Sequence, residues 1–128
     1  MRVIDTSAWI ETLKGTAIGH RLNAEIPTPE DCIVPTLVQL ELAKWLTREQ
    51  PPEQAERMIA YTMTCQIVAL DSVIALLAAD LGVTHGLATA DAIIYATAVH
   101  LNAVLVTCDA HFDGLPLVHY FAKHADPE

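Results

Sequence analysis

Apolar residues along this chain follow two alternating patterns. Short unbroken runs, such as CIV, IVAL, AVLVT and LVHYF, are separated by longer stretches in which apolar positions recur every three or four residues. The runs read as strands buried on both faces of a parallel sheet, and the stretches as amphipathic helices packed against it. In order, the pattern predicts a strand over residues 2–5, a helix from Thr6 or Ser7 to near Gly15, and a helical stretch over 19–24. A turn at Pro27 and Pro29 leads to a strand over 32–34, and Pro35 sits at a first-turn position of the helix TLVQLELAKWLTRE. Pro51 and Pro52 open another helix through Ala55, Met58, Ile59 and Met63, followed by a strand over 67–70. Asp71 or Ser72 caps VIALLAADLG, which Gly82 closes. Thr89 is the expected N-cap of a helix that Asn102 ends, with Asp91, Ile94, Ala98 and Leu101 on one face. AVLVT is the next strand, LVHYF the last, and 123–128 a polar tail.

Strands and helices that alternate through most of the chain define an α/β fold, with a mostly parallel sheet, helices on both faces and right-handed crossovers. With 128 residues and no repeat, low-complexity segment or linker, residues 1–128 are expected to form a single domain. The first residues contain no charged segment followed by an apolar stretch and a cleavage site, and no apolar run approaches membrane-spanning length. Cys32, Cys65 and Cys108 are odd in number and far apart, which suits a reducing cytoplasm better than a disulfide framework or a metal motif.

Charge narrows the chemistry. A net charge of −9 with only seven Lys and Arg argues against holding nucleic acid through a broad basic face. It leaves open an enzyme that works on phosphates through divalent cations screening its carboxylates, and it favours a basic partner. Four acids stand at informative places: Asp5 and Asp109 just past strand ends, Asp91 in a first helical turn, and Glu41 on the apolar stripe of Val34, Leu37, Val38 and Trp45. Ligands of open parallel sheets bind outside the carboxyl ends of the strands. Each acid also has a plain structural reading. Asp5 caps a helix, Asp91 complements a helix dipole, Asp109 makes a turn, and Glu41 pairs with Arg48 or Arg21. If the four converge, two carboxylates about 5 Å apart repel by roughly 3 kcal/mol at an effective dielectric of 20, raising one pKa by about two units. A divalent cation removes that repulsion, and oxygen-only ligands suit Mg²⁺ or Mn²⁺.

VIDTSAWIE, LVQLELAKW and TADAIIYATAVHLNAVLVTCDAHF, in this order and spacing, resemble the PIN domain, a family of metal-dependent ribonucleases, and within it the toxin half of VapBC toxin–antitoxin pairs. The resemblance implies a three-layer fold with five parallel strands, a homodimer, Mg²⁺ with Mn²⁺ as substitute, and an antitoxin whose tail covers the site. It also implies Asp5, Glu41, Asp91 and Asp109 as the catalytic, metal-binding quartet, with Ser7 or, second to it, Thr6, and Thr107 as hydroxyls near the metal. The expected activity is endonucleolytic hydrolysis of structured RNA, tRNA or rRNA. The acidity of the chain predicts a basic and apolar antitoxin tail, one that supplies an Arg to the carboxylates. Cys108 stands where relatives often carry a basic or polar residue, and His85 and His111 have no family role. Asp113, before Gly114, reads as a turn residue rather than an accessory acid.

Two other classes fit the sequence less well. A metal-dependent phosphatase of the haloacid dehalogenase type needs a D-x-D pattern, and Ser7 occupies its second acidic position. A non-catalytic PIN-fold scaffold has no use for four retained acids. Ser7 without a His and Asp arrangement around it in the sequence disfavours covalent catalysis.

Overall fold

The computed structural model describes residues 1–123; all of the expected polar tail except Lys123 lies outside them. Five strands, β1 (Arg2–Ile4), β2 (Cys32–Pro35), β3 (Gln66–Val68), β4 (Val104–Thr107) and β5 (Val118–Tyr120), form one sheet in the order β3-β2-β1-β4-β5. Every pairing is parallel, so the sheet is wholly rather than mostly parallel. Six helices connect the strands: α1 (Thr6–Lys14), α2 (Ala17–Asn23), α3 (Thr36–Glu49), α4 (Pro52–Thr62), α5 (Ser72–His85) and α6 (Thr89–His100).

The order decides where the chain can hold a ligand. From β1 the chain steps one way to β2 and β3, then returns past β1 to β4 and β5. Right-handed crossovers therefore put α1 to α4 on one face and α5 and α6 on the other. Contacts of α1 with α2 and α3, of α3 with α4, and of α5 with α6 agree with this. Between β1 and β4 the strand order reverses, which opens a crevice at their carboxyl ends.

Val3, Ile4, Ile33, Val34, Leu105 and Val106 are almost completely buried, as expected for strands covered on both faces. Ala8, Leu22, Val38, Leu42, Ile94, Ala98 and Phe112 fill the space between sheet and helices. Trp9 packs edge-on against Tyr61, with ring centroids 6.2 Å apart. Met63, read from the sequence as part of the helix that Pro51 and Pro52 open, lies just past the end of α4 and is 64% exposed. No single helix among the described residues is long and apolar enough to cross a membrane. All three cysteines are buried and free.

Several expected boundaries move, each for a local reason. Gly82 does not close α5: the helix continues to His85, and Gly86 at φ +66° supplies the left-handed cap, its N–H donating to the Gly82 carbonyl. Gly82 instead lets α6 approach, since a Cβ there would lie 3.3 Å from Ala92 Cβ. Thr89 is the first residue of α6 rather than its cap; Ala88 is the cap, its carbonyl accepting from the Ala92 N–H at 2.8 Å. Pro35 ends β2 and caps α3. α2 starts before Gly19, at Ala17, because the Thr16 side chain accepts from Gly19 N–H. β3 begins one residue earlier than its apolar run, since Gln66 pairs with Ile33. The buried line of α3 is Val38, Leu42 and Leu46, so Glu41 lies half-buried at its border instead of interrupting it.

Candidate functional site

Asp5 follows β1 and does not use its carboxylate to cap the helix it starts. Its carbonyl accepts from the Ala8 and Trp9 N–H groups, but its side chain caps nothing. The carboxylate is held instead by two hydroxyls, Ser7 Oγ at 2.7 Å and Thr107 Oγ1 at 2.8 Å, both donating to Oδ2. The helix-cap reading of Asp5 is thereby excluded for its side chain. Thr107, fully buried at the end of β4, also accepts the Asp109 N–H at 2.9 Å, and Ser7 Oγ accepts the Cys108 N–H at 3.0 Å. These bonds tie the ends of β1 and β4 together at the point where the strand order reverses.

Asp109 keeps part of its turn role. Its Oδ1 accepts the His111 N–H at 2.9 Å and opens a short 3₁₀ turn over Ala110–Phe112. Asp91 occupies the first turn of α6, and Glu41 accepts the Thr6 hydroxyl at 2.6 Å. Neither expected arginine pairs with Glu41: Arg48 bonds Glu49 at 3.0 Å, and Arg21 lies over the Phe121 ring. Thr6, the second choice from the sequence, and Ser7 thus each serve a different acid.

All four acids, with Thr6 and Ser7, line one cleft of about 380 Å³. Thr107 lies beneath its floor, bonded to Asp5. Lys44, Arg48 and Lys123, three of the seven cationic side chains, line it as well. A second hollow, lined by Cys108, Ala110 and Tyr120, shares Ser7, Asp109 and Lys123 with the first, so the cleft continues as a groove.

Electrostatics follow from this crowding. Burial pushes the Asp5 carboxyl from the ordinary 3.8 up to about 6, opposed by the Ser7 and Thr107 hydrogen bonds and reinforced by Glu41 and Asp109. Mutual repulsion, the cause expected from sequence, is real but secondary to desolvation. Asp91 is also raised, by burial first and then by the Asp109 charge, with His111 acting against both. Burial pushes the Cys108 thiol up to about 11, which leaves it protonated and unsuited to nucleophilic work.

His111 is the residue that sequence reasoning left without a role. Its Nδ1 lies 3.3 Å from Asp109 Oδ1 and 3.5 Å from Asp91 Oδ2. The available signal was its place two residues after an aspartate, the spacing at which an Asx side chain bonds the backbone and turns the chain back. Lys44 and Arg48 were legible only as one turn of α3 beyond Glu41 and near the same stripe. His85 is structural, stacking edge-on against Tyr95 at 5.7 Å, and Asp113 ends the 3₁₀ turn.

The PIN domain family profile matches residues 2–116. Among solved structures, the chain is similar to a toxin–antitoxin complex from Klebsiella pneumoniae, at 22% identity and a TM-score of 0.81 over 93% of this chain and 96% of that one. It is similar to DNA-bound VapBC from Salmonella typhimurium, at 17% identity and 0.72 over 94% and 96%. It also resembles VapC20 of Mycobacterium tuberculosis, a sarcin–ricin loop cleaving toxin, at 22% identity and 0.67 over 90% and 92%. No curated protein matches. At these identities the structural likeness speaks for the fold, whereas the family profile covers most of the sequence. The chain therefore belongs to the PIN-domain family.

Proposed function

We propose that residues 1–128 act as one PIN domain and form a divalent-cation-dependent endoribonuclease, the toxin of a toxin–antitoxin pair. The observation that carries this reading is the meeting of Asp5, Glu41, Asp91 and Asp109 in one cleft that also draws in three of only seven cationic side chains. Lys44, Arg48 and Lys123 line the cleft without pairing with those four acids, which leaves them to hold an anionic occupant beside a cation that screens the carboxylates.

The donor set fits a cation. Among the described residues no Lys or Arg forms an ion pair with any of the four acids. Asp91, Asp109 and His111 each offer a ligand atom, all within 4.8 Å of one another. Asp91 and Asp109, both half-exposed, would hold the ion, with Asp5 and Glu41 acting directly or through water. A bound cation supplies Lewis-acid polarisation of the phosphodiester and of the attacking water.

The chain's own groups do the positioning. Ser7 and Thr107 fix the Asp5 carboxylate in one orientation, and Thr6 fixes Glu41. Lys44, Arg48 and Lys123 are placed to hold phosphates along the groove, whose extension past Asp109 to Tyr120 suits a polymer rather than a single nucleotide. RNA as the polymer is supported by VapC20, named for cleaving the sarcin–ricin loop. An antitoxin partner is supported by the solved toxin–antitoxin relatives, and the acidic cleft calls for a basic, apolar tail from it. Self-association as a homodimer belongs to the same reading.

The test is cleavage of a tRNA pool and of ribosomal RNA by wild type and by Asp109→Asn, with Mg²⁺ or Mn²⁺ and with chelator. Discrete wild-type cuts that vanish in the variant and in chelator are expected. Cuts that survive both would refute a carboxylate-held cation.

A further inference from the structure

His111 has a feature that its exposure does not explain. An imidazole 76% open to solvent has many orientations available, yet its Nδ1 points between two carboxylates. The backbone brings the side chain to this place. Asp109 Oδ1 accepts the His111 N–H and starts the 3₁₀ turn, while the next residue, Phe112, is fully buried and anchors the turn against the core. His111 thereby carries its side chain beside Asp91, in the first turn of α6.

The spacing is that of ligands around one ion. Ligand atoms bound at about 2.1 Å in octahedral geometry sit ~3 Å apart in adjacent positions and ~4.2 Å apart in opposite ones. The nitrogen-to-oxygen distances of 3.3 and 3.5 Å and the common limit of 4.8 Å admit one cation touching all three residues after small side-chain rotations. An imidazole nitrogen is a borderline-soft donor, poorly matched to Mg²⁺ and better matched to first-row transition ions.

Resting on the cation-site reading above, we propose that His111 supplies a nitrogen ligand beside Asp91 and Asp109, making this a mixed nitrogen and oxygen site that prefers Mn²⁺ over Mg²⁺. The oxygen-only quartet expected from sequence then becomes a set with one imidazole.

Mn²⁺ itself is the probe, added to the purified full chain and followed by electron paramagnetic resonance. Wild type is expected to show the coupling of a directly bound ¹⁴N. In His111→Ala and His111→Gln that coupling should disappear, with Mn²⁺ affinity weakened at least about tenfold. Mg²⁺ affinity, read by competition, should change by less than about twofold. Both substitutions are at an exposed position, so a thermal melt without metal should match wild type. Mn²⁺ that binds wild type without a ¹⁴N coupling, or that keeps it in His111→Ala, overturns the nitrogen ligand and leaves the cation site standing. Tighter Mn²⁺ binding by His111→Ala also overturns it, because His111 would then be a counter-ion that the metal displaces. Failure of Mn²⁺ to bind wild type at all, with Asp109→Asn behaving identically, removes the cation site and this inference together.

Discussion

Replacing Asp5 by Asn should stabilise the metal-free protein, and the size of the gain can be worked out. The carboxyl is 4% exposed and its pKa rises from 3.8 to about 6 on folding. At about 1.4 kcal/mol per pKa unit, ionised Asp5 costs the native state about 3 kcal/mol near neutral pH. The sign follows from proton binding. Between the unfolded and folded pKa values the native state binds more protons than the unfolded chain, so this group's contribution falls as pH rises through that window. Asn keeps the shape and an oxygen able to accept from Ser7 and Thr107, but carries no charge to desolvate. In chelator near pH 7, Asp5→Asn should therefore raise stability by about 3 kcal/mol, roughly 10 °C in Tm for a chain of this size. Near pH 4 the gain should shrink to well under 1 kcal/mol, because wild-type Asp5 is then protonated in the native state. Urea unfolding at both pH values, wild type against variant, measures the difference. Saturating Mn²⁺ should close the gap near pH 7, because only wild type offers the ion a charged Asp5. An equal gain at both pH values, or none at either, refutes the claim that desolvation of this carboxylate is a cost the fold carries for its site.

Two further outcomes follow from packing and hydrogen bonding. Gly19→Ala should destabilise by about 2 kcal/mol in urea despite Ala's better helix propensity, since a Cβ would stand 2.1 Å from the Glu11 carbonyl oxygen where α2 crosses α1; a stabilised variant would mean that the two helices are not so closely seated. Thr107→Val keeps the volume but deprives Asp5 of a donor and the Asp109 N–H of its acceptor, so urea unfolding should show a loss of about 2 kcal/mol and RNA cleavage should fall, while Thr107→Ser restores both. Unchanged stability in the Val variant would show that water replaces the hydroxyl in that buried corner.

The order of elements, the parallel sheet and three of the four acids' positions past strand ends or in a first turn were readable because apolar periodicity is a local property. AVLVT cannot bury both faces except in a covered sheet, and the residues after it are then bound to lie at a carboxyl end. Helix ends were less readable. Gly82 and Gly86 are four residues apart and locally equivalent; that α6 packs against Gly82 while the chain turns at Gly86 depends on a partner helix.

What the sequence by itself determined is thus the list of elements, their buried faces and the acids placed at their ends, since these depend on neighbours a few residues away. Only the tertiary structure decided which of those ends meet. The reversal of strand order between β1 and β4 brings Asp5 to Thr107 across 102 residues, and packing brings Glu41 to Thr6 and Asp91 to His111. The dominant cause of the raised Asp5 pKa was decided at the same level. Repulsion could be foreseen from four acids in a row of motifs, but burial depends on how much of the rest of the chain closes over one carboxylate.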